Sequence, residues 1–421
     1  MRRPVLGPSL LPAMTPASMS GISDRMKITF LLALFAPTLP ALAQLPPDVK
    51  SDLGPDVPAF RVRPGYRVTR VIPNKALKVA RFIQFSEDGQ TLFVSDLENG
   101  VIYALRDPDE NGMYKTITNF VKNKRSVQGM DVRDGWLYFS QASEGSVSRA
   151  RDTNNDGMAD DIEEVVPKGT LPQGGGHPYV GLLVTDTQIF ATSSDPTNMT
   201  EDLNSEWKRI YVFDRDGKNK RTFGTGVRNV EKLRHRPGTQ EIWGFDHGSD
   251  NFGRTYGEQI GSNQPITDLN PPEEFNKFVE GGFYGHPFIM GNGVPRPEFA
   301  KRRDIIELAN KTKQPDWLVG AHWSVLGFTF IASDQFGADH NGDVFFASHG
   351  SWNSRKPVGA CVQRIMFDQV TGKPCGSMTI VDCVGPDRRL ARPVDCAEAP
   401  DGTIIFSSDE PPALFRISKS K

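Results

Sequence analysis

A histidine follows three glycines in Gly174-Gly175-Gly176-His177, just ahead of the apolar run from Val180 to Val184. Glycine lets backbone or ligand approach closely, and an imidazole at a strand entrance can serve as a general base near neutral pH. Taken alone, a histidine is more often a hydrogen-bonded structural residue. Further on, Gly226-Val227-Arg228-Asn229 offers a forked cation and an amide, which clamp an oxyanion in one setting and cap a loop in another. Four more clusters put polar side chains beside glycine or proline: Asp246-His247-Gly248-Ser249-Asp250, Asn270-Pro271-Pro272-Glu273-Glu274, Gly281-Gly282-Phe283-Tyr284-Gly285-His286-Pro287 and His349-Gly350-Ser351-Trp352-Asn353. Arg392-Pro393-Val394-Asp395 closes the series. Each is weak alone.

A different chemistry is written between Asp152 and Glu163. Asp152, Asn154, Asp156, Met158 (through its carbonyl), Asp160 and Glu163 fall at the ligand positions of a calcium-binding loop, with Gly157 at its sharp turn. The spacing predicts a bound calcium ion (Ca2+) that clips two strands together. An acidic, solvated turn without an ion is the other reading.

The elements that must position these residues come from a repeat. A polar turn around Asp-Gly or Pro-Gly, then four or five apolar residues, then Ser, Asp or Gly, recurs at Phe85–Ser95, Val132–Ser140, Arg236–Gly244, His340–Ser348 and Pro400–Ser408, with weaker copies at Leu182–Ser193 and Phe213–Gly217. A tight turn feeding a short Val/Ile/Phe-rich strand is a hairpin signal, and its return at roughly 50-residue spacing is what a propeller blade leaves in a sequence. The fold class is therefore all-β, a six-bladed β-propeller over 44–421, with a long insertion around 249–322 that is too large for a simple blade loop. A large sandwich is the alternative, but it needs no regular Asp-Gly turn at blade spacing.

The 421 residues carry a formal net charge of −2, with 40 Gly and 32 Pro. Nothing in that balance points to a nucleic-acid or anionic-membrane partner, because both demand a concentrated positive field. Met26-Lys27, the short apolar run Ile28 to Ala36 and the small-x-small Ala41-Leu42-Ala43 have the form of a secretory signal cleaved before Gln44. Residues 1–43 then divide into an upstream extension and a signal peptide, and the mature chain is expected to be periplasmic or secreted, without stable membrane insertion. An even count of cysteines, Cys361, Cys375, Cys383 and Cys396, predicts disulfides in an exported protein, while a metal site lacks the Cys-x-x-Cys spacing.

The order of the chemical clusters resembles the soluble quinoprotein sugar dehydrogenases, the glucose, aldose-sugar and sorbosone dehydrogenases that use pyrroloquinoline quinone (PQQ). The elements that carry the resemblance are His177 behind its glycines, Arg228-Asn229, Asp246-His247-Gly248, Gly-Gly-Phe-Tyr-Gly-x-Pro, His349-Gly-Ser-Trp-Asn and Arg392-Pro-Val-Asp, between Phe60 and Ile417. The resemblance implies that PQQ and Ca2+ sit at one mouth of the channel, where His177 takes the proton from a sugar hydroxyl as hydride passes to the quinone. Arg228 and Asn229 would stabilise and hold the quinone oxygen, the carbonyls of Gly248 and Ser249 would bind calcium, and Arg392 would neutralise a cofactor carboxylate. The chain departs from the pattern at Val394, where a second arginine is usual, and at Ser249, where proline is usual. Arg355 or Lys356 would supply the basic residue of the preceding blade. The implied substrate is a small sugar, polyol or aldehyde such as sorbosone, with a separate electron acceptor. Two other functions fit a propeller: a calcium-dependent, lactonase-like hydrolase, which needs several acidic side chains on an axial metal, and a non-catalytic binding module.

Overall fold

The computed structural model describes residues 45–250 and 266–420, Pro47 excepted. The expected signal peptide and the stretch 251–265 of the expected insertion lie outside the described residues. Within the described residues six sheets of four or five strands are arranged as a six-bladed β-propeller, beside one two-stranded sheet (Ile289–Met290 with Val294–Pro295) and a single α-helix, Ile305–Lys311.

Each blade is an antiparallel meander written in chain order. Blade 1 runs from Ile83 to Val121, blade 2 from Val127 to Val166, blade 3 from Leu182 to Thr225, blade 4 from Leu233 to Val319, blade 5 from Val325 to Asp382 and blade 6 from Pro393 to Lys419. The recurring Asp-Gly segment is the turn between the first two strands of a blade, as in Ile83–Phe85 with Leu92–Asp96 and Pro393–Glu398 with Ile404–Asp409. Glycine is required there: Gly89, Gly135, Gly342 and Gly402 all have positive φ, which L side chains adopt at a steric cost. The weak copy at Phe213–Gly217 is instead the outer turn of blade 3.

Strand residues alternate between the two faces of a blade, and both faces are covered by neighbouring blades. In blade 1, Leu92 and Val94 pack toward blade 6 with Ile405 and Leu414, while Phe93 between them packs toward blade 2 with Leu137 and Phe139. This is why the strands read as continuous apolar runs and not as alternating ones. The remaining junctions are filled in the same way, and that between blades 4 and 5 is aromatic: Trp243 and Phe245 stack on Phe275 at 4.9 and 4.4 Å, with Phe328 edge-on at 5.7 Å.

The ring closes through the N-terminal chain. Tyr66–Arg70 pairs antiparallel with the C-terminal strand Pro412–Lys419 as the outer strand of blade 6, and Arg61–Val62 adds an edge to blade 5. Inside the channel the Lys232 ammonium meets both Asp395 oxygens at 2.6 and 2.7 Å, and Asp395 also accepts the Ile83 amide, tying blades 4, 6 and 1 together.

Two expectations change. The segment 249–322 is more than an insertion, since Glu273–Phe278 and Trp317–Val319 are the outer half of blade 4 itself. Only the excursion between them, which lends Gly282–Phe283 to the edge of blade 3 and carries the helix, departs from a plain blade. The expected disulfides are absent: all four cysteines are free. Cys375 opens the strand Pro374–Asp382, exposed, while Cys361 pairs with Asp382 at its other end, next to Cys383. At about 3.3 Å per residue that strand separates Cys375 from Cys383 by roughly 26 Å, far beyond the ~7 Å limit for a disulfide.

Phe275→Ala is expected to cost about 3–5 kcal/mol, the usual toll for a fully buried aromatic whose cavity cannot collapse. Urea denaturation monitored by tryptophan fluorescence checks this, and a loss below about 1 kcal/mol would remove the blade 4–5 stack from the account. Thiol titration of the native protein should find Cys375 alone reactive, with the three buried thiols released by denaturant.

Candidate active site

Because the Asp-Gly turns lie at one mouth of the channel, the chain that enters each first strand and the chain that leaves each second strand meet at the other. A cavity of about 340 Å³ opens there, within the roughly 300–1,000 Å³ typical of small-molecule sites. Blade 1 contributes Arg81, blade 3 His177 and Tyr179, blade 4 Arg228, Asn229, Glu231 and Gly248, and blade 5 His322, His349 and Trp352.

His177 is half-buried. Its Nδ1 lies 2.9 Å from the Asp195 carbonyl, which can only accept, so Nδ1 carries the proton and Nε2 presents a lone pair. That lone pair faces Arg228 Nη2 at 3.1 Å. Burial, helped by the Arg228 charge, holds the imidazole below the ordinary histidine value, so the neutral form prevails near pH 7. Asp195 is fixed in turn by His286, whose Nε2 donates to Oδ2 at 2.8 Å, and by the Thr200 amide and hydroxyl. The Gly-Gly-Phe-Tyr-Gly-His-Pro element therefore reaches the base at second hand.

Arg228 and Asn229 are held by their own backbone. The buried Asp246 carboxylate accepts both amides, at 2.8 and 2.7 Å, and burial raises its pKa to about 6. The Asn229 amide group donates to Glu231 Oε1 at 3.0 Å and to His247 Nδ1 at 3.1 Å, while His247 Nε2 donates to the Val325 carbonyl at 2.6 Å. His247 is thereby locked neutral, its pKa lowered to about 3 by burial. Opposite them runs a second chain of bonds: Arg392 donates to His349 Nδ1 at 2.8 Å, His349 Nε2 donates to Asp409 at 2.9 Å, and Arg81 donates to the other Asp409 oxygen at 2.7 Å.

The expected site residues separate into those the fold gathers and those it does not. His177, Arg228, Asn229 and Gly248 line the cavity. Ser249 lies just behind it with its hydroxyl on Arg296. Arg392 stands behind His349, and Arg355 is drawn to the surface by Asp268 at 2.6 Å, with Lys356 exposed beside it. Neither Arg355 nor Lys356 lines the cavity; among the described residues Arg81 and Arg228 are its lining arginines. Arg81, Glu231 and His322 were missed. The signal for Glu231 was present, since Glu231-Lys232 interrupts the apolar entry to a first strand and so marks the channel.

The loop from Asp152 to Asp160 lies in the outer turn of blade 2, and its oxygens serve its own amides: Asp152 takes Gly157, Asn154 takes Asp156 and Asp156 takes Met158. Asp160 accepts from Thr153. Glu163 falls inside the strand Asp161–Val166, where register puts it opposite Arg149, and its carboxylate pairs with that guanidinium at 2.5 Å instead of folding back over the loop.

A cation fits better at the cavity floor. Gly248 approaches the Pro271 and Pro272 carbonyls so closely that a Cβ would meet both at 2.8 Å. Burial raises Glu273 and Glu274 to about 8, and one oxygen of the buried Glu273 has no partner. Among the described residues no three His, Cys, Asp or Glu side chains form a closed metal cage, so backbone carbonyls such as those of Gly248 and Ser249 would have to carry a cation here.

The model of the TrAA12-like family matches residues 197–420. The chain belongs to that family. Solved structures share its fold: the holo form of the pyranose dehydrogenase PQQ domain from Coprinopsis cinerea is 19% identical, with 87% of this chain and 100% of that chain covered and a TM-score of 0.72. A calcium structure of the carbohydrate-active enzyme family AA12 protein from Trichoderma reesei is 18% identical over 88% of this chain and 100% of that one, TM-score 0.71. The apo soluble aldose sugar dehydrogenase from Escherichia coli is 17% identical over 84% and 100%, TM-score 0.56. An uncharacterized protein of Borreliella burgdorferi is 27% identical over 200 residues, 47% of this chain, and this TrAA12-like chain spans about half of its length, 48%.

The buried acids give this family member a defined pH response. Glu273 and Glu274 keep protons in the folded state that the unfolded chain has released between about pH 4.5 and 8, so stability falls as pH rises through that window. His286, lowered to about 4, works in the other direction, since the unfolded chain binds a proton the fold refuses between about 4 and 6.5. In chelator the melting temperature should fall from pH 6 to 8.5, and Glu273→Gln should flatten that fall. An unchanged slope in the variant would deny Glu273 its raised pKa.

Proposed function

We propose that this chain is an exported PQQ-dependent oxidoreductase that removes hydride from a hydroxyl-bearing or aldehyde carbon of a sugar or related polyol, passing electrons to a separate acceptor. The observation that carries the reading is the pairing of a neutral imidazole lone pair on His177 with the Arg228 guanidinium on one wall of a cavity whose floor is rich in buried carboxyls. The similar structures, among them a PQQ domain of a pyranose dehydrogenase and an aldose sugar dehydrogenase, agree with it.

When bound, PQQ supplies the hydride acceptor, which the side chains of this protein cannot. Arg81 and Arg228 would hold its anionic oxygens, and a calcium ion near Gly248 and Ser249 would offset the carboxyls of the floor. His177 takes the hydroxyl proton on Nε2 and, once protonated, is steadied by the Asp195 carbonyl on Nδ1. That matters because a C–H bond gives up hydride more readily as its oxygen loses a proton. Asn229, fixed by Ser194, Glu231 and His247, keeps the Arg228 backbone in place. Trp352, 68% exposed at the rim, presents an apolar face against which a sugar ring can stack. An axial-metal hydrolase needs a side-chain cage that the described residues do not form.

Mature protein supplied with PQQ and calcium should reduce an artificial dye in the presence of aldoses, polyols or sorbosone. His177→Ala should keep the fold and cofactor binding while turnover drops about 100- to 10,000-fold, the usual share of a positioned general base. Full dye reduction by the variant, or none by the wild type with PQQ bound, refutes the assignment.

A further inference from the structure

Arg228 Nη2 has two hydrogens and three acceptors: His177 Nε2 at 3.1 Å, Asn198 Oδ1 at 3.0 Å and Asp250 Oδ2 at 3.0 Å. A guanidinium donor on a base's lone pair opposes protonation of that base, so where Arg228 is held decides how far His177 can work. Of the other two acceptors only Asp250 is charged. Its placement is elaborate: the Asp250 amide donates to Asn198 Oδ1 at 2.8 Å, its carbonyl accepts from Asn198 Nδ2 at 2.7 Å, and its remaining carboxylate oxygen accepts from Asn353 Nδ2 at 3.1 Å. Asn353 closes the His349-Gly-Ser-Trp-Asn motif, and the proposed reaction gives Asn353 itself no part. One residue thus joins the loops of blades 3, 4 and 5 at the guanidinium, through its backbone to Asn198 and its carboxylate to Arg228 and Asn353.

We propose that Asp250 is a positioning residue: with Asn198 and Asn353 as its struts, its carboxylate competes with the His177 lone pair for the Arg228 Nη2 hydrogens and holds the guanidinium over the cavity where an acceptor oxygen would lie. The inference rests on His177 being the base of the proposed reaction, but the placement of Arg228 stands independently of it. The charged and titratable groups facing His177 among the described residues are Arg228, Asp250, Asp195 and His247, with Arg81, Tyr179, Glu231, Glu273, His322 and His349 elsewhere around the same cavity. Asp195 is already saturated by His286 and Thr200, and His247 is locked neutral, which leaves Asp250 as the counterweight to Arg228. The Asp250 charge favours protonated His177, whereas that of Arg228 opposes it.

The test is Asp250→Asn, which keeps the shape and both backbone bonds to Asn198. Imidazole NMR of His177 in chelator-treated protein without PQQ should show its titration moving to lower pH, because the carboxylate is gone and Arg228 settles on Nε2. With PQQ and calcium restored, the plateau of kcat/KM should fall about tenfold or more while its acid limb moves to lower pH. A merely structural residue would lower the plateau and leave the limb in place. Asp250→Glu, which restores the charge, should return the titration toward wild type, and it serves as the second variant if Asp250→Asn melts markedly earlier. An unshifted His177 titration in folded Asp250→Asn overturns the proposal, as does a shift to higher pH. If the NMR shift appears in a protein that shows no dye reduction, the clamp stands and the proposed reaction fails.

Discussion

A ring of sheets has a site at its axis only if the ring closes, and here closure depends on the backbone pairing of Tyr66–Arg70 with Pro412–Lys419. Without it blade 6 would present an open edge, and the apolar junctions on either side of that blade would lose a wall. The cavity draws on blades 1, 3, 4 and 5, and Asp409 of blade 6 anchors Arg81. No single hairpin carries enough of the chemistry to act alone. The Lys232–Asp395 pair inside the channel serves the same closure, because it gives blades 4 and 6, which are not neighbours, a shared charge contact that cannot be satisfied by either one separately.

Around that ring the functional mouth is organised by carboxylates that do no chemistry. Asp246 fixes the Arg228-Asn229 backbone, Asp195 fixes His177 and His286, Asp409 fixes His349 and Arg81, and Asp250 fixes the Arg228 side chain. Each is buried or half-buried and each is spent on donors. The exceptions are Glu273 and Glu274, whose pKa values are raised by burial and, further, by neighbouring carboxylates. A fold that leaves acids underpaid in this way at a cavity floor is suited to a cation, and the Gly248 backbone, pressed against two proline carbonyls, lies beside them.

The structure also separates two acidic regions that look alike as composition. In the loop from Asp152 to Asp160 several side-chain oxygens accept the loop's own amides, and the strand that follows carries Glu163 away to Arg149. The floor near Gly248 has one carboxylate oxygen left without a partner. Ligand spacing picks out the first of these regions, and the unpartnered carboxyl oxygen picks out the second.

By itself the sequence determined the blade. Asp-Gly turns require positive φ, and apolar runs on both strand faces require neighbours on both sides, so the number of blades and the position of each first hairpin follow from local rules. It also determined which residue types gather at one mouth, because His177, Arg228 and His247 all stand at entrances to first strands or exits from second ones. Which side chains actually meet was decided only by the tertiary structure. Arg81 lies far from His349 in the chain and is placed by the ring, Arg355 was diverted by Asp268, and Cys375 was carried to the wrong end of a strand for any bridge to Cys383. The reason is physical: turn and strand preferences act over a few residues, while a shared proton or ion pair depends on distances set by the packing of six sheets.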